Sequence, residues 1–257
     1  MIAAIPWMIA TAVLVMTTLW AIQLRTRDAA TADVGWAFLV AGGVAAAAAL
    51  TDGDLQRRLL VGGMAMAWAL RLGFFLLRDR VLRAEHEDGR YAALREHWGA
   101  KAPRNFLGFY LAQAAVAGLF VVPIAAAMRG GPLSWPALVA IAIWLVSLIG
   151  ESVADQQLAR FRARPEHRGQ VCRDGLWRYS RHPNYFFEWL HWWAYVVVAE
   201  GALLTFLGPL IMLIFLFQLT GIPYTERQAI KSRGDRYRAY QRTTSVFFPW
   251  PPRPEAN

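Results

Sequence analysis

The chain is poor in the features that mark secreted, metal-binding or dinucleotide-fold proteins. A single cysteine, Cys172, occurs in 257 residues, which excludes an intrachain disulfide framework. The five histidines, His86, His97, His167, His182 and His191, show no ligand spacing with one another or with Cys172, so no metal site is indicated. Neither a G-x-G-x-x-G fingerprint nor a P-loop is present, and the GG pairs at 42–43, 62–63 and 130–131 stand alone. Any nucleotide would have to bind by a membrane-embedded route. Internal repeats and low-complexity domains are absent. So is a cleavable leader: the first apolar run lacks a basic n-region, is too long for an h-region and ends in QLRTR. The first helix is therefore expected to stay.

Uninterrupted apolar sequence is what the chain has in quantity. Apolar and aromatic residues make up 56% of it, and they gather in seven runs, about 3–24, 33–50, 59–77, 106–128, 137–158, 186–200 and 202–224. Most reach the ~20 residues a helix needs to cross a bilayer at ~1.5 Å per residue. The last two lie close together and predict a tight helical hairpin. Only helices or closed barrels satisfy their backbone in lipid. The expected fold is all-α: a polytopic membrane helical bundle of about seven transmembrane helices, forming a single membrane-embedded domain over 1–257. AAAAA at 45–49 reads as small-residue surface for close helix packing.

A formal charge of +9 raises the question of nucleic acid, and its distribution answers it. The alternate segments 23–32, 78–105, 159–185 and 225–257 carry 2, 7, 7 and 7 of the 27 basic residues. The intervening side carries only Arg57, Arg58 and Arg129, while Arg71 lies within a helix. By the positive-inside rule the N-terminus is expected outside and the C-terminus in the cytoplasm, in a bacterial inner membrane. No nucleic-acid-binding motif accompanies the charge, so no nucleic-acid partner is expected. In the first long loop, EDGRYAALREHWG predicts a short amphipathic helix with Tyr91, Leu94 and Trp98 on one face, lying on the headgroups. The tail's PWPPRPEAN cannot continue a helix.

Ionisable groups inside spans are costly and mark functional candidates. Asp33, Arg71, Glu151, Asp155 and Glu188 all fall in the third of their spans nearest the basic loops. A scatter of purely structural pairs has no reason to avoid the opposite half. Glu151 and Asp155, at i and i+4, share one helix face. They need a cation or a donor-bearing ligand between them, with Arg71 and Arg162 the protein's own candidates. The stretch GLWRYSRHPNYFFEWLHWWAY at 175–195 opens the sixth span. Pro183 suits a first helical turn, whose free N–H groups form an anion site. Arg178, Arg181 and His182 stand just before it, and Asn184 and Glu188 lie one turn apart on one face. A juxtamembrane cluster gripping anionic lipid would account for the arginines but not for Asn184 and Glu188.

GLWRYSRHPNYFFEW, followed by ERQAIKSRGDRYRAYQRTTSVFFPW, resembles the steroid 5-alpha-reductase family, and its bacterial branch most closely. DVGW at 33–36, WALRL at 68–72, EDGRYAALREHWG at 87–99 and ESVADQQLARF at 151–161 fit that branch in order, so the resemblance covers nearly the whole chain. RHPNY alone is less specific. It also resembles isoprenylcysteine carboxyl methyltransferases and related lipid methyltransferases, which use S-adenosylmethionine.

The reductase resemblance implies NADPH in a cytoplasm-facing cavity, and reduction of an enone in a lipid-like substrate that enters from the bilayer. It places Arg71, Asp155, Arg162, Asn184 and Glu188 among the cofactor contacts. Glu151 stands where the family has an amide. Arg178, Tyr179, Arg181, His182 and Tyr237 complete the expected cofactor set. The family holds the substrate carbonyl with a glutamate on helix 2 and a tyrosine on helix 3. Here Trp68 stands in the tyrosine position and Asp33 is what helix 2 offers. These two are the catalytic candidates, Asp33 as proton source and Trp68 as hydrogen-bond donor, since an indole N–H donates but is not an acid. Aspartate is also a favoured helix N-cap, a competing role for Asp33. Besides substrate and cofactor, membrane lipids are the expected partners.

Overall fold

A computed structural model describes residues 4–219 and 221–254. Among them there is no strand, and six helical spans are long and apolar enough to cross a membrane. The protein is a polytopic, integral membrane protein built of helices. It divides into two compact units, 1–133 and 134–257.

The first unit is built around α2, Thr31–Leu50, which packs on α1 (Ile5–Thr26), α3 (Leu55–Leu76) and α5 (Ala102–Ala127). Small side chains make this possible. Ala32, Gly35, Ala37, Val40, Ala41, Val44 and Ala47 are all buried on α2. A Cβ on Gly43 would lie 2.7 Å from Val121 of α5, and one on Gly62 of α3 would lie 3.2 Å from Ala48. Within the alanine run Ala47 is buried and Ala48 faces Gly62, as close packing of small residues predicts, while Ala45 and Ala49 are exposed. By contrast α1 buries only Met16 and Gln23 and exposes Trp7 and Leu14, the surface of a helix turned to hydrocarbon.

Helix ends in this unit follow from particular residues. Asp54 caps α3 by accepting from the backbone N–H groups of Gln56 and Arg57. Buried Arg57 then donates to the carbonyls of Gly131 (2.9 Å) and Pro132 (3.4 Å), closing the turn after α5. Beyond α3 the chain continues as a π segment, Leu77–Leu82, and then as α4, Gly89–Trp98, capped by Asp88. Tyr91, Leu94 and Trp98 of α4 pack with Phe106 and Tyr110 of α5. The amphipathic helix expected on the headgroups spends its apolar face on the protein core, because aromatic partners on α5 are within reach.

In the second unit α6, Pro136–Arg162, packs along α7, Pro183–Val198. Gly150 lets Phe187 approach; an added Cβ would lie 2.5 Å from its ring. At 16 residues α7 spans ~24 Å, short of the ~30 Å hydrocarbon core. Six spans therefore meet the length of a crossing where the apolar runs predict about seven. The chain leaves α7 through Glu200 and Gly201, both at positive φ. The expected last span is helical but irregular: a 3-10 turn at Leu203–Phe206, α8 at Leu207–Ile214, then a π segment at Phe215–Leu219. The tail folds as α9, Ile222–Arg233, and α10, Asp235–Thr243, separated by Gly234 at φ 54°.

The glycine contacts predict opposite outcomes for two substitutions. Gly150→Val should cost about 1–3 kcal/mol by forcing α6 from Phe187. Gly118→Ala, with nothing within 4 Å of its Cβ, should stabilise by up to about 1 kcal/mol through helix propensity. Melting temperatures in detergent distinguish the two.

Candidate functional site

Each unit gathers its polar groups about one carboxylate. In the first unit that group is Asp33, on the third residue of α2. Ala30 holds the N-cap position, so Asp33 is not the cap. Its Oδ1 accepts from the Tyr91 hydroxyl at 2.6 Å, and its Oδ2 from Arg80 and Arg90, each at 2.9 Å. Arg90 also pairs with Asp88 at 3.1 Å. Beside this group Arg95 forms a two-pronged pair with Glu87, at 2.7 and 3.0 Å, and donates to buried Gln23. Asp33 is thus an ion-pair hub that holds the π segment and α4 against α2. The neighbours that matter, Arg80 and Arg90, come from the loop that the sequence places in the basic segment.

Trp68 is buried on α3 with its ring edge-on to Trp36, 6.2 Å between centroids, and Arg71 lies one turn further along, half-buried. These residues and Asp33 belong to the first unit; all the other candidates belong to the second.

There the opening motif is fixed from three directions. Leu176 donates its N–H to Gln157 of α6 at 2.9 Å, and Trp177 donates its indole N–H to the Ala154 carbonyl at 2.9 Å. The Tyr240 hydroxyl donates to the carbonyls of Trp177 and Ser180. The tail adds Trp250 N–H to the Tyr179 carbonyl, 2.9 Å, and Ser180 Oγ to the Phe247 carbonyl, 2.8 Å. Gly175, at φ 58°, passes so close to Gln157 that a side chain would collide with it.

Glu226 of α9 is the second hub. Its Oε1 accepts from Arg181 at 2.6 Å, lies 3.4 Å from His182 Nε2 and accepts from the Tyr237 hydroxyl at 3.4 Å. Its Oε2 accepts from Gln241 at 2.8 Å. Arg181 additionally donates to the carbonyls of Gln241 and Thr244, at 3.1 and 2.8 Å. Of the expected set the structure therefore joins Arg181, His182 and Tyr237. Glu226, the glutamate of the tail that follows RHPNY and that the methyltransferase resemblance shares, and Gln241 lie outside the expected cofactor set.

Asp155 of α6 meets Asn184 of α7, whose amide donates at 3.1 Å. Asn184 Oδ1, buried, has no hydrogen-bond partner among the described residues. Glu151 is buried one turn before Asp155, and Glu188 is half-buried one turn after Asn184. Arg162 ends α6, exposed. Arg178 and Tyr179 are exposed too.

Burial pushes the His182 imidazole below its ordinary 6.5, with Glu226 pulling the other way. Below about pH 6.5 the unfolded chain then binds a proton more readily than the folded one. The stability this histidine contributes is complete above that pH and is lost as the pH falls. Melting temperature followed from about pH 7.5 to 5 should drop more steeply for the native chain than for His182→Gln. Glu226→Gln takes the ionic partner from Arg181, and Asp33→Asn leaves Arg80 and Arg90 to share Asp88; each change should cost roughly 1.5–3 kcal/mol, read by melting in detergent. Unchanged melting of either variant would show that its hub is not structural.

No curated protein and no solved structure matches the chain. One family does, over residues 19–244, and its description is "protein of unknown function (DUF1295)". With most of its length matched, the chain belongs to the DUF1295 family.

Proposed function

We propose that the protein is an integral-membrane, NADPH-dependent reductase of a C=C bond conjugated to a carbonyl in a lipid-like or steroid-like substrate. Its family lies within the steroid 5-alpha-reductase-like group, in keeping with the motif resemblance. The observation that carries the reading is Asn184. Its amide is spent on Asp155 while its carbonyl oxygen is buried without a partner. Leaving such an acceptor unmet costs ~1–3 kcal/mol, so the position calls for a ligand that brings a donor. Amide and hydroxyl groups of a nicotinamide nucleotide are donors of that kind.

In this reading Asp155, Asn184, Glu188 and Glu151 meet the cofactor's amide and hydroxyl groups, while Arg162 and Arg178 meet its phosphates. Tyr179 lies beside Arg178 as a further contact. Arg181, His182 and Tyr237, gathered on Glu226, hold the motif in place. NADPH, when bound, supplies the hydride. Trp68 donates a hydrogen bond to the substrate carbonyl, where enolate charge develops. Asp33 takes part as proton source only by exchanging one of its present donors for the substrate. The distribution of basic residues supports a site on the cytoplasmic side of a bacterial inner membrane.

Calorimetric titration of the detergent-solubilised protein tests the reading. NADPH should bind roughly tenfold or more tightly than NADH, because charge-assisted contacts to the 2′-phosphate contribute at least ~1.4 kcal/mol. Asn184→Ala should weaken NADPH binding while the apo melting temperature changes little. Equal affinity for the two nucleotides, or binding of S-adenosylmethionine alone, would overturn the assignment.

A further inference from the structure

Asp155 and Asn184 meet at one end of a longer seam between α6 and α7. Along α7, Asn184, Glu188, His191 and Tyr195 recur at i, i+4, i+7 and i+11, so they share one helix face. Along α6, Asp155, Glu151 and Trp144 recur at matching helical spacing in the reverse direction. The Asp155–Asn184 bond and the close approach of Gly150 to Phe187 fix the two helices as antiparallel. Continuing that register sets Trp144 level with Tyr195. From Asn184 to Tyr195 a helix rises about 16 Å, roughly half of the ~30 Å hydrocarbon core.

At this inner level the seam holds donors that nothing meets. Tyr195 is 0% exposed, and its hydroxyl has no hydrogen-bond partner among the described residues. Trp144 is half-buried, and its indole N–H is buried and likewise unbonded among them. Ser147, the polar side chain of α6 nearest that level, spends its hydroxyl on the Ile143 carbonyl at 2.8 Å. The Tyr195 ring is held by His191, edge-on at 5.0 Å between centroids, and by Trp192 at 5.7 Å. Trp192 is itself seated on Gly208 of α8, where an added Cβ would lie 2.5 Å from the indole. The phenol is therefore fixed in a packed wall.

A phenol donates or accepts, while an indole N–H only donates, so an acceptor is what this level lacks. The mouth is the reverse, since Asn184 Oδ1 lacks a donor. Donors left unmet at such depth are costly, because no bulk water reaches them. The ester carbonyls of phospholipids stay near the headgroups, so an acceptor this deep belongs to a molecule that dissolves in the bilayer.

We propose that the inner end of the α6/α7 seam binds a ketone-type oxygen of a lipid-soluble molecule, with the Tyr195 hydroxyl as principal donor and the Trp144 N–H as the second. Calling that molecule the substrate rests on the reductase reading; the binding itself needs no cofactor.

The test uses the full-length protein in detergent without nucleotide. It is titrated with a long-chain cyclohexenone and with the matching cyclohexene, which lacks the oxygen. The native protein should prefer the ketone by about five- to tenfold, the usual return on one hydrogen bond out of water. In infrared difference spectra the bound C=O stretch should lie below that of the ketone in protein-free micelles. Tyr195→Phe keeps the ring, and should lose most of the preference and of the spectral shift. Trp144→Phe should lose a smaller part of each. Because the hydroxyl has no partner in the fold, apo Tyr195→Phe should melt at or above the native temperature. Equal binding of the two probes by the native protein overturns the proposal, as does a Tyr195→Phe variant that keeps the native preference. A clear fall in the apo melting temperature of Tyr195→Phe also overturns it, since the hydroxyl would then be bonded within the fold, directly or through water. Failure of NADPH to bind, with the ketone preference intact, would sink the reductase reading and leave this site standing.

Discussion

An ionised side chain held where water gives out has to be paired, and both units are organised by how they meet that demand. In the first, Asp33 near the start of α2 draws Arg80 and Arg90 onto one oxygen and the Tyr91 hydroxyl onto the other. In the second, Glu226 draws Arg181, His182, Tyr237 and Gln241. Each carboxylate fixes segments far apart in sequence: the π segment and α4 on α2 in one case, the pre-α7 motif on α9 and α10 in the other. Where desolvation is expensive, the geometry of such a hub is strongly determined, because losing one partner strands the others.

The arrangement divides labour within a motif that looks uniform on paper. Arg178, Arg181 and His182 form a run of cationic or titratable side chains before α7. Enclosure of Arg181 and His182 by Glu226 makes them the part that positions. Arg178, left exposed, is the part available to a ligand. Asn184 occupies an intermediate state, with its donor satisfied by Asp155 and its acceptor not. A half-satisfied buried amide is costly in a protein whose surroundings offer little water.

Helix existence and approximate position could be read from the chain because the bilayer leaves so few alternatives. A run of twenty apolar residues has one way to satisfy its backbone in lipid, and α1, α2, α3, α5 and α6 all form where such runs lie. Composition also foretold that small residues of α2 would pack closely. Periodicity found the apolar face of α4, but could not say whether Tyr91, Leu94 and Trp98 would meet lipid or Phe106 and Tyr110, since both are apolar surroundings. The run at 186–200 is shorter than a full crossing, as α7 is, and it ends where Glu200 and Gly201 turn at positive φ.

Sequence by itself determined the membrane setting, the helical class, the exclusion of an intrachain disulfide, and the concentration of ionisable groups at particular span ends. Those properties depend on local composition and on spacing along one helix. Which carboxylate meets which arginine was decided only in the tertiary structure. Asp33 and Arg80 are 47 residues apart, and Arg181 and Glu226 are 45 apart. No local rule separates an arginine that will be enclosed from one, three residues away, that will stay exposed. That distinction arises when α9, α10 and the tail close over the motif, because only then is the competition for a single glutamate resolved.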